Sequence, residues 1–96
     1  MTIASVSFGA VGGIVQAMSS SDVTSEIITP SGSSQQSTGS SSQDKPIVRV
    51  ASDVALYVSF GTSPNATNDA TRFYFPAGST EYFVVGSGMK VALVTA

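Results

Sequence analysis

The fold is decided by residues 54–94, which read VALYVSFGTSPNATNDATRFYFPAGSTEYFVVGSGMKVALV. Four apolar runs alternate there with segments rich in Gly, Pro, Asn and Ser, and every aromatic residue except Phe8 lies within the stretch. Apolar residues that recur at every second position predict strands with one buried face. The stretch therefore predicts four strands, and residues 47–51 (IVRVA) add a fifth before them.

The connections between these strands differ in length and chemistry. Residues 76–78 (PAG) and 86–88 (GSG) predict tight turns, and the second of them has the form of a three-residue hairpin loop. Residues 61–70 are longer and contain Pro, Asn and Asp, so they predict the most exposed loop of the chain. Closely spaced strands joined in this way predict a small antiparallel β-sandwich or barrel.

The phase of the alternation predicts which side chains form the core. The strand at residues 81–85 alternates least clearly, because YFVV places four apolar residues in succession. A shift of one residue there would exchange its inward and outward faces. The predicted core comprises Val48, Val50, Leu56, Val58, Phe60, Phe73, Phe75, Tyr82, Val84, Val91 and Leu93.

The N-terminal residues predict further strands. Residues 2–8 alternate cleanly, and residues 23–29 form a β-branched run that stops at Pro30. Residues 11–18 contain two adjacent glycines, which favour a bent strand, although their apolar positions also share one face of a helix. We expect residues 1–28 to form an extended β arm that covers the small core, either in its own subunit or in a neighbouring one.

Residues 29–44 separate this arm from a compact module at residues 45–96. They read TPSGSSQQSTGSSSQD, a composition typical of a flexible linker. Two interpretations are open: a loop packed on its own domain, or a strap laid across a neighbouring subunit. The sequence as a whole thus predicts an all-β fold with an extended N-terminal arm, and a core small enough to favour a homo-oligomer.

The composition argues against several classes of function. The chain has neither Cys nor His, which removes the commonest metal ligand, general base and strong nucleophile. Its four basic residues are dispersed and its net charge is −2, so we expect no nucleic-acid partner. No run approaches the roughly 20 apolar residues of a membrane span. We predict no enzyme, no catalytic or metal-binding residue, no cofactor and no membrane partner; the N-terminus lacks a basic signal region, which favours cytoplasmic synthesis.

Side chains on the faces opposite the predicted core are candidates for an interface. Three are aromatic, a residue type that often anchors protein binding. Three are charged and lie within strands, where they either form cross-strand pairs or fix the register of an interface. The candidates are, in that order, Tyr57, Tyr74 and Phe83, and Arg49, Arg72 and Glu81.

Residues 47–95 also carry a series of short motifs: VSFG at 58–61, SP at 63–64, AT at 66–67, PAG at 76–78, EYF at 81–83, and Gly88, Lys90 and VA at 91–92. With these motifs the stretch resembles small β proteins of tailed bacteriophages. The resemblance implies a structural virion protein, and specifically a capsid decoration or cement protein on the outer surface of the head. Such a protein would bind the major capsid protein and stabilise the shell, and we expect it to form trimers at local threefold axes.

Two alternative functions follow from the same residues. A head-fibre or tail module that binds a host-surface glycan would use the 61–70 loop and the outward tyrosines. A head–tail connector or tail component would assemble into rings, and its copy number per particle would be far lower than that of a decoration protein.

Overall fold

The computed structural model describes residues 3–9, 24–68 and 70–96, and within these residues the fold is all-β. Most strands fall where the alternation predicts them, and one lies inside the predicted linker. The eight strands are β1 Ala4–Gly9, β2 Thr24–Ile28, β3 Gln35–Gln36, β4 Ile47–Ser52, β5 Leu56–Gly61, β6 Phe73–Phe75, β7 Thr80–Val84 and β8 Lys90–Thr95.

The strands form two four-stranded antiparallel sheets that pack against each other. The first sheet has the order β2-β1-β4-β7 and the second has the order β3-β8-β5-β6. Consecutive strands from β4 to β8 therefore change sheet at β4–β5, β6–β7 and β7–β8. The prediction of a small antiparallel β-sandwich is confirmed.

The pairing of the strands is nested. The pair β5–β6 lies within β4–β7 along the chain, and β4–β7 lies within β3–β8. The outermost pair is β1–β2, in which β1 takes the place that a strand after β8 would have in the same nested order. In the first sheet β1 lies between β2 and β4. Eight antiparallel strands wrapped in this way over two sheets have the strand pairing of a jelly roll.

The core lies between the sheets and draws on both ends of the chain. Its buried side chains are Ala4, Val6, Phe8, Ile28, Val48, Val50, Leu56, Val58, Phe75, Val91 and Leu93, with Phe60, Phe73, Phe83 and Val85 packed against them. The predicted inward phases of β4, β5, β6 and β8 are confirmed by this set. Residues on β1 and β2 supply a large share of the core, which explains how so small a chain fills a sandwich.

The predicted extended N-terminal arm has no support, because β1 is an interior strand. Val6 lies opposite Val50 of β4 on one side and opposite Glu26 of β2 on the other. Phe8 is 1% exposed. β1 and β2 therefore cover the core of their own subunit. The predicted strand or helix at residues 11–18 falls outside the described residues.

The predicted phase of β7 is wrong by one residue. Tyr82 and Val84 are exposed, and Phe83 points into the sandwich instead. The register explains the shift, because Phe83 lies opposite Val48, which is itself an inward residue of β4. The Phe83 ring lies 5.1 Å from the Phe60 ring centroid, and the three rings Phe60, Phe73 and Phe83 contact one another at the edge of the core.

The hairpin predicted at residues 86–88 is also wrong. Gly88 has a positive φ of 73°, and the chain turns there. However, β7 pairs with β4 while β8 pairs with β5 and β3, so the turn crosses from one sheet to the other. Ser41 takes over the role of a hairpin partner: its Oγ donates to the Gly86 carbonyl and accepts from the Met89 N–H at 2.9 Å.

The segment predicted as a linker or strap lies along β8 of the same chain. Gln35 pairs with Leu93, and Ser37 continues the ladder by donating its N–H to the Val91 carbonyl at 2.7 Å. Further towards the C-terminus of β8, the Thr95 N–H donates to the Ser31 carbonyl at 2.9 Å. The described residues therefore agree with the first of the two interpretations, a segment packed on its own domain.

Most described residues of the 61–70 loop are exposed, as predicted, but Pro64 and Ala66 are buried. The loop folds back over the outer face of the second sheet, where Ala66 is buried against Ala92 and Val94. The Ala66 N–H donates to Ser34 Oγ at 2.9 Å, so the loop is held by the segment that forms the edge of the sheet.

Candidate functional site

The largest apolar side chains exposed to solvent lie mainly on the outer face of the first sheet. Ile27 is 69% exposed, Tyr82 is 52% exposed and Val84 is 80% exposed. The strand registers place all three on the face opposite the core, with Ile27 on one edge strand and the other two on the opposite edge strand. We call this surface, formed by Ile27, Ile47, Arg49, Tyr82 and Val84, the β7 face.

The interior of the β7 face is nearly uncharged. Arg49 lies opposite Tyr82, and Ile47 lies opposite Val84. Next to Arg49, Ser7 and Ser25 share a hydrogen bond of 2.8 Å between their hydroxyl groups. A face of this kind suits contact with a protein, because charged residues are depleted at the centres of protein interfaces while Tyr and Arg are enriched there.

A second cluster lies on the outer face of the second sheet. The Arg72 guanidinium stacks on the Tyr57 ring, with its carbon 3.8 Å from the ring centroid. Tyr74 meets the same ring edge to face, at 5.9 Å between centroids and an interplanar angle of 71°. Tyr57 is half-buried against the loop, whereas Tyr74 is 55% exposed. We call these three residues the tyrosine patch.

The loop beside the tyrosine patch is built from short polar turns. Asn65 Oδ1 accepts hydrogen bonds from the Thr67 N–H at 3.0 Å and the Thr67 hydroxyl at 2.7 Å. Asn68 Oδ1 accepts from the Ala70 N–H at 3.1 Å. Both side chains therefore hold the loop in shape through their oxygens. A shallow pocket lies between this loop and β5, and hydroxyl and amide groups line much of it.

The six interface candidates from the sequence fall into different places. Tyr57, Arg72 and Tyr74 come together in the tyrosine patch, as their shared outward phase predicted. Arg49 lies on the β7 face. Glu81 is exposed at the sandwich edge, opposite Val50 in the register, and Phe83 packs at the core margin.

Sequence reasoning missed the three most exposed apolar residues of the β7 face. Tyr82 and Val84 were assigned to the core, and Ile27 was not singled out. No residue of the sequence corrects the assignment, because Tyr82, Phe83, Val84 and Val85 are all apolar and either phase buries an apolar set.

The described residues contain no group of three or more acidic residues placed to hold a metal ion. Asp53 instead accepts the Ile3 N–H at 3.0 Å, which ties the start of β1 to the turn after β4. No helix in the described part of the chain is long and apolar enough to cross a membrane.

Comparison of the chain with family models, curated proteins and solved structures finds no match in any of the three. The function is therefore argued from the two surfaces themselves.

Proposed function

We propose that this chain is a structural protein without catalytic activity, which acts by binding a larger protein surface through the β7 face. In the specific form of the proposal it is a capsid decoration or cement protein on the outside of a bacteriophage head. Its partner there is the major capsid protein. The observation that carries the proposal is the exposure of Ile27, Tyr82 and Val84 on one face.

The energetic argument concerns what binding would do to this face. Complete burial of an aliphatic or aromatic side chain contributes about 1.5–3 kcal/mol, so three largely exposed ones supply several kcal/mol. Arg49 is the only charged residue on this face in the described strands, so little charge must be desolvated. A sheet face with exposed apolar side chains, hydroxyl groups and a single charge is suited to bind another protein.

A virion is proposed as the setting because of the sequence resemblance, and the fold is compatible with it. The motifs at residues 47–95 resemble those of small phage β proteins. Jelly-roll pairing occurs both in viral capsid proteins and in lectins, so the fold is compatible with this setting but does not select it. The resemblance is what favours the capsid.

The proposal is tested with capsid shells that lack the protein. Purified protein is added to such shells, and co-sedimentation and the thermal stability of the shells are measured. We expect saturable binding in high copy number and a rise in the temperature at which the shells disrupt. Ile27→Lys should weaken binding, and Tyr74→Ala, on the opposite sheet, is the matched control that should not. Failure of the wild-type protein to bind would refute the proposal.

A second candidate function is favoured by the tyrosine patch. Tyr74 presents an exposed aromatic ring beside the Arg72 guanidinium and a loop rich in amides and hydroxyls, a combination suited to the apolar faces and hydroxyl groups of a sugar. A glycan array distinguishes the two functions. Binding that is lost in Tyr74→Ala and kept in Ile27→Lys would favour a head-fibre or tail module. A copy number that matches a single ring per particle would instead favour a connector or tail component.

A further inference from the structure

β7 is one of the two edge strands of the first sheet, and no described segment pairs with its outer side. Proteins usually protect such edges with short strands, Pro, Lys or a covering loop. At the edge of β3, the Gln36 side chain donates to the Pro64 carbonyl at 3.0 Å, and β6 has only three residues before Pro76. On β2, the Glu26 carboxylate accepts hydrogen bonds from the N–H groups of Thr38 and Gly39, so another segment of the chain lies beside that strand. In contrast, β7 has five residues, of which Glu81 is the only charged one, contains no Pro or Lys, and exposes Tyr82 and Val84.

The outward backbone groups of β7 follow from its hydrogen bonds with β4. The Val85 N–H donates to the Pro46 carbonyl at 2.9 Å, and the Ser52 N–H donates to the Ser79 carbonyl at 3.2 Å. In an antiparallel ladder the bonded residues alternate, so the odd-numbered residues of β7 face β4. The N–H and C=O groups of Thr80, Tyr82 and Val84 therefore point away from the sheet.

We infer that β7 pairs antiparallel with β7 of a second copy of this chain, around a twofold axis at Tyr82. The contact would join two four-stranded sheets into one sheet of eight strands. A strand paired with its own copy forms an isologous interface, which closes after two subunits and leaves no further β7 edge open. This inference goes beyond the proposed function and does not depend on it.

The register of the β7–β7 pair is selected by the positions of the charged side chains and by the number of backbone hydrogen bonds that can form. Outward groups can meet in three ways, with the twofold axis at residue 81, 82 or 83. An axis at Glu81 would place two carboxylates directly opposite each other, which is destabilising. An axis at Phe83 would require residue 86, beyond the end of β7, to complete the ladder. An axis at Tyr82 uses all three outward residues and sets Glu81 opposite Phe83 of the second copy.

This register also accounts for the exposed side chains. Tyr82 would lie beside Tyr82 of the second copy, and Val84 would lie beside the Thr80 methyl group. Aromatic and β-branched cross-strand pairs of this kind stabilise sheets. The two β7 faces would become continuous across the axis, so the exposed apolar side chains of both copies would lie on one surface.

Cross-linking tests the register directly, because the chain contains no native Cys. In Tyr82→Cys the two thiols would face each other across strands, where Cα atoms are about 5.5 Å apart, a separation that a disulfide spans. In the control, Val84→Cys, the two thiols would be offset by four residues, or about 13 Å along the strand. We expect oxidised Tyr82→Cys to run as a covalent dimer on a non-reducing gel, and Val84→Cys to run as a monomer. The opposite pattern would overturn the inference.

Light scattering after size exclusion tests the contact in the unmodified chain. We expect the wild type to be a dimer and Val84→Lys to be a monomer, with unchanged circular dichroism. Ile27→Lys, which places the same charge at an exposed apolar position on the other edge of the sheet, should remain a dimer. A monomeric or trimeric wild type, or dissociation by Ile27→Lys, would overturn the inference. A monomer that still binds shells would overturn only this inference, whereas a dimer that fails to bind them would overturn only the proposed function.

Discussion

Ser37 offers the sharpest test of how the Ser-rich segment is used. Its side chain is only 2% exposed. Its Oγ accepts the Val91 N–H at 3.0 Å and donates to the Gly39 carbonyl at 2.7 Å. The Ser37 N–H donates to the Val91 carbonyl, so backbone and hydroxyl together complete the ladder with β8. We predict that Ser37→Ala destabilises the protein substantially, although it removes a single oxygen atom.

The magnitude follows from the groups that would lose their partner. Val91 is fully buried, so its N–H could not turn to solvent after the substitution. A buried donor left without an acceptor costs about 1–3 kcal/mol. The Gly39 carbonyl would lose its donor as well, but it lies in a partly exposed turn and would regain water at lower cost. We therefore expect a loss of about 2 kcal/mol in the free energy of unfolding, which lowers the melting temperature of a domain of this size by roughly 8–16 °C.

The assay is urea unfolding followed by circular dichroism and tyrosine fluorescence, with amide hydrogen exchange at Val91 as a local readout. Ser40→Ala is the matched control, because Ser40 is exposed in the same segment and its substitution should change stability by less than about 0.5 kcal/mol. Equal, small effects of the two substitutions would show that residues 29–44 behave as a solvated linker. That result would refute the edge-strand packing of Ser37.

Three further predictions concern the same side of the sandwich. Phe8→Ala should lower the free energy of unfolding by about 3–5 kcal/mol, because the ring is buried in the core; a urea midpoint near that of the wild type would mean that β1 is dispensable. Glu26→Gln should lower the free energy of unfolding by about 1 kcal/mol. The carboxylate accepts the Thr38 N–H at 2.7 Å and the Gly39 N–H at 2.9 Å, whereas an amide offers only one oxygen. Unchanged hydrogen-exchange rates of both N–H groups would contradict this. Gly39→Ala should cost about 1 kcal/mol in thermal unfolding, because its Cβ would stand 3.3 Å from Glu26 Oε2 and would displace a carboxylate that two hydrogen bonds hold in place. An unchanged melting temperature would mean that the carboxylate moves aside without cost.

Alternation predicted the strands in which one face is apolar and the other is not. In β5, Leu56 and Val58 alternate with Tyr57 and Ser59, and the structure buries the first pair in the main core. The same reasoning placed Tyr57 on the outer face together with Tyr74, and the tyrosine patch follows from it. The prediction succeeds there because a slip of one residue would bury polar groups without partners.

The pattern could not fix β7, because Tyr82, Phe83, Val84 and Val85 are all apolar. Either phase buries an apolar set, and the choice depends on what lies across the sandwich. There, Phe60 and Phe73 leave space for a third ring, and Phe83 fills it. The β7 face, and with it the proposed site, was for this reason not visible in the sequence. The partners of β7 and β8 were equally hidden, since a short glycine turn permits either a hairpin or a crossing between sheets.

The serine-rich segment shows why composition alone could not decide between the two interpretations of residues 29–44. In a flexible linker the Ser hydroxyls are solvated. In this segment several hydroxyls instead accept hydrogen bonds from backbone N–H groups, which in an ordinary sheet would bond to the carbonyl groups of a neighbouring strand. Ser34 Oγ accepts from Ala66, Ser37 Oγ from Val91 and Ser41 Oγ from Met89, so one segment fastens the 61–70 loop, β8 and the turn before it. Because side chains complete the bonding, β3 can be as short as two residues and still close this edge of the second sheet. The first sheet has no such segment along β7 among the described residues. The closed edge at β3 therefore contributes to the stability of the subunit, and the contrast with the open edge, beside the exposed Tyr82 and Val84, supports the proposal that β7 contacts another molecule.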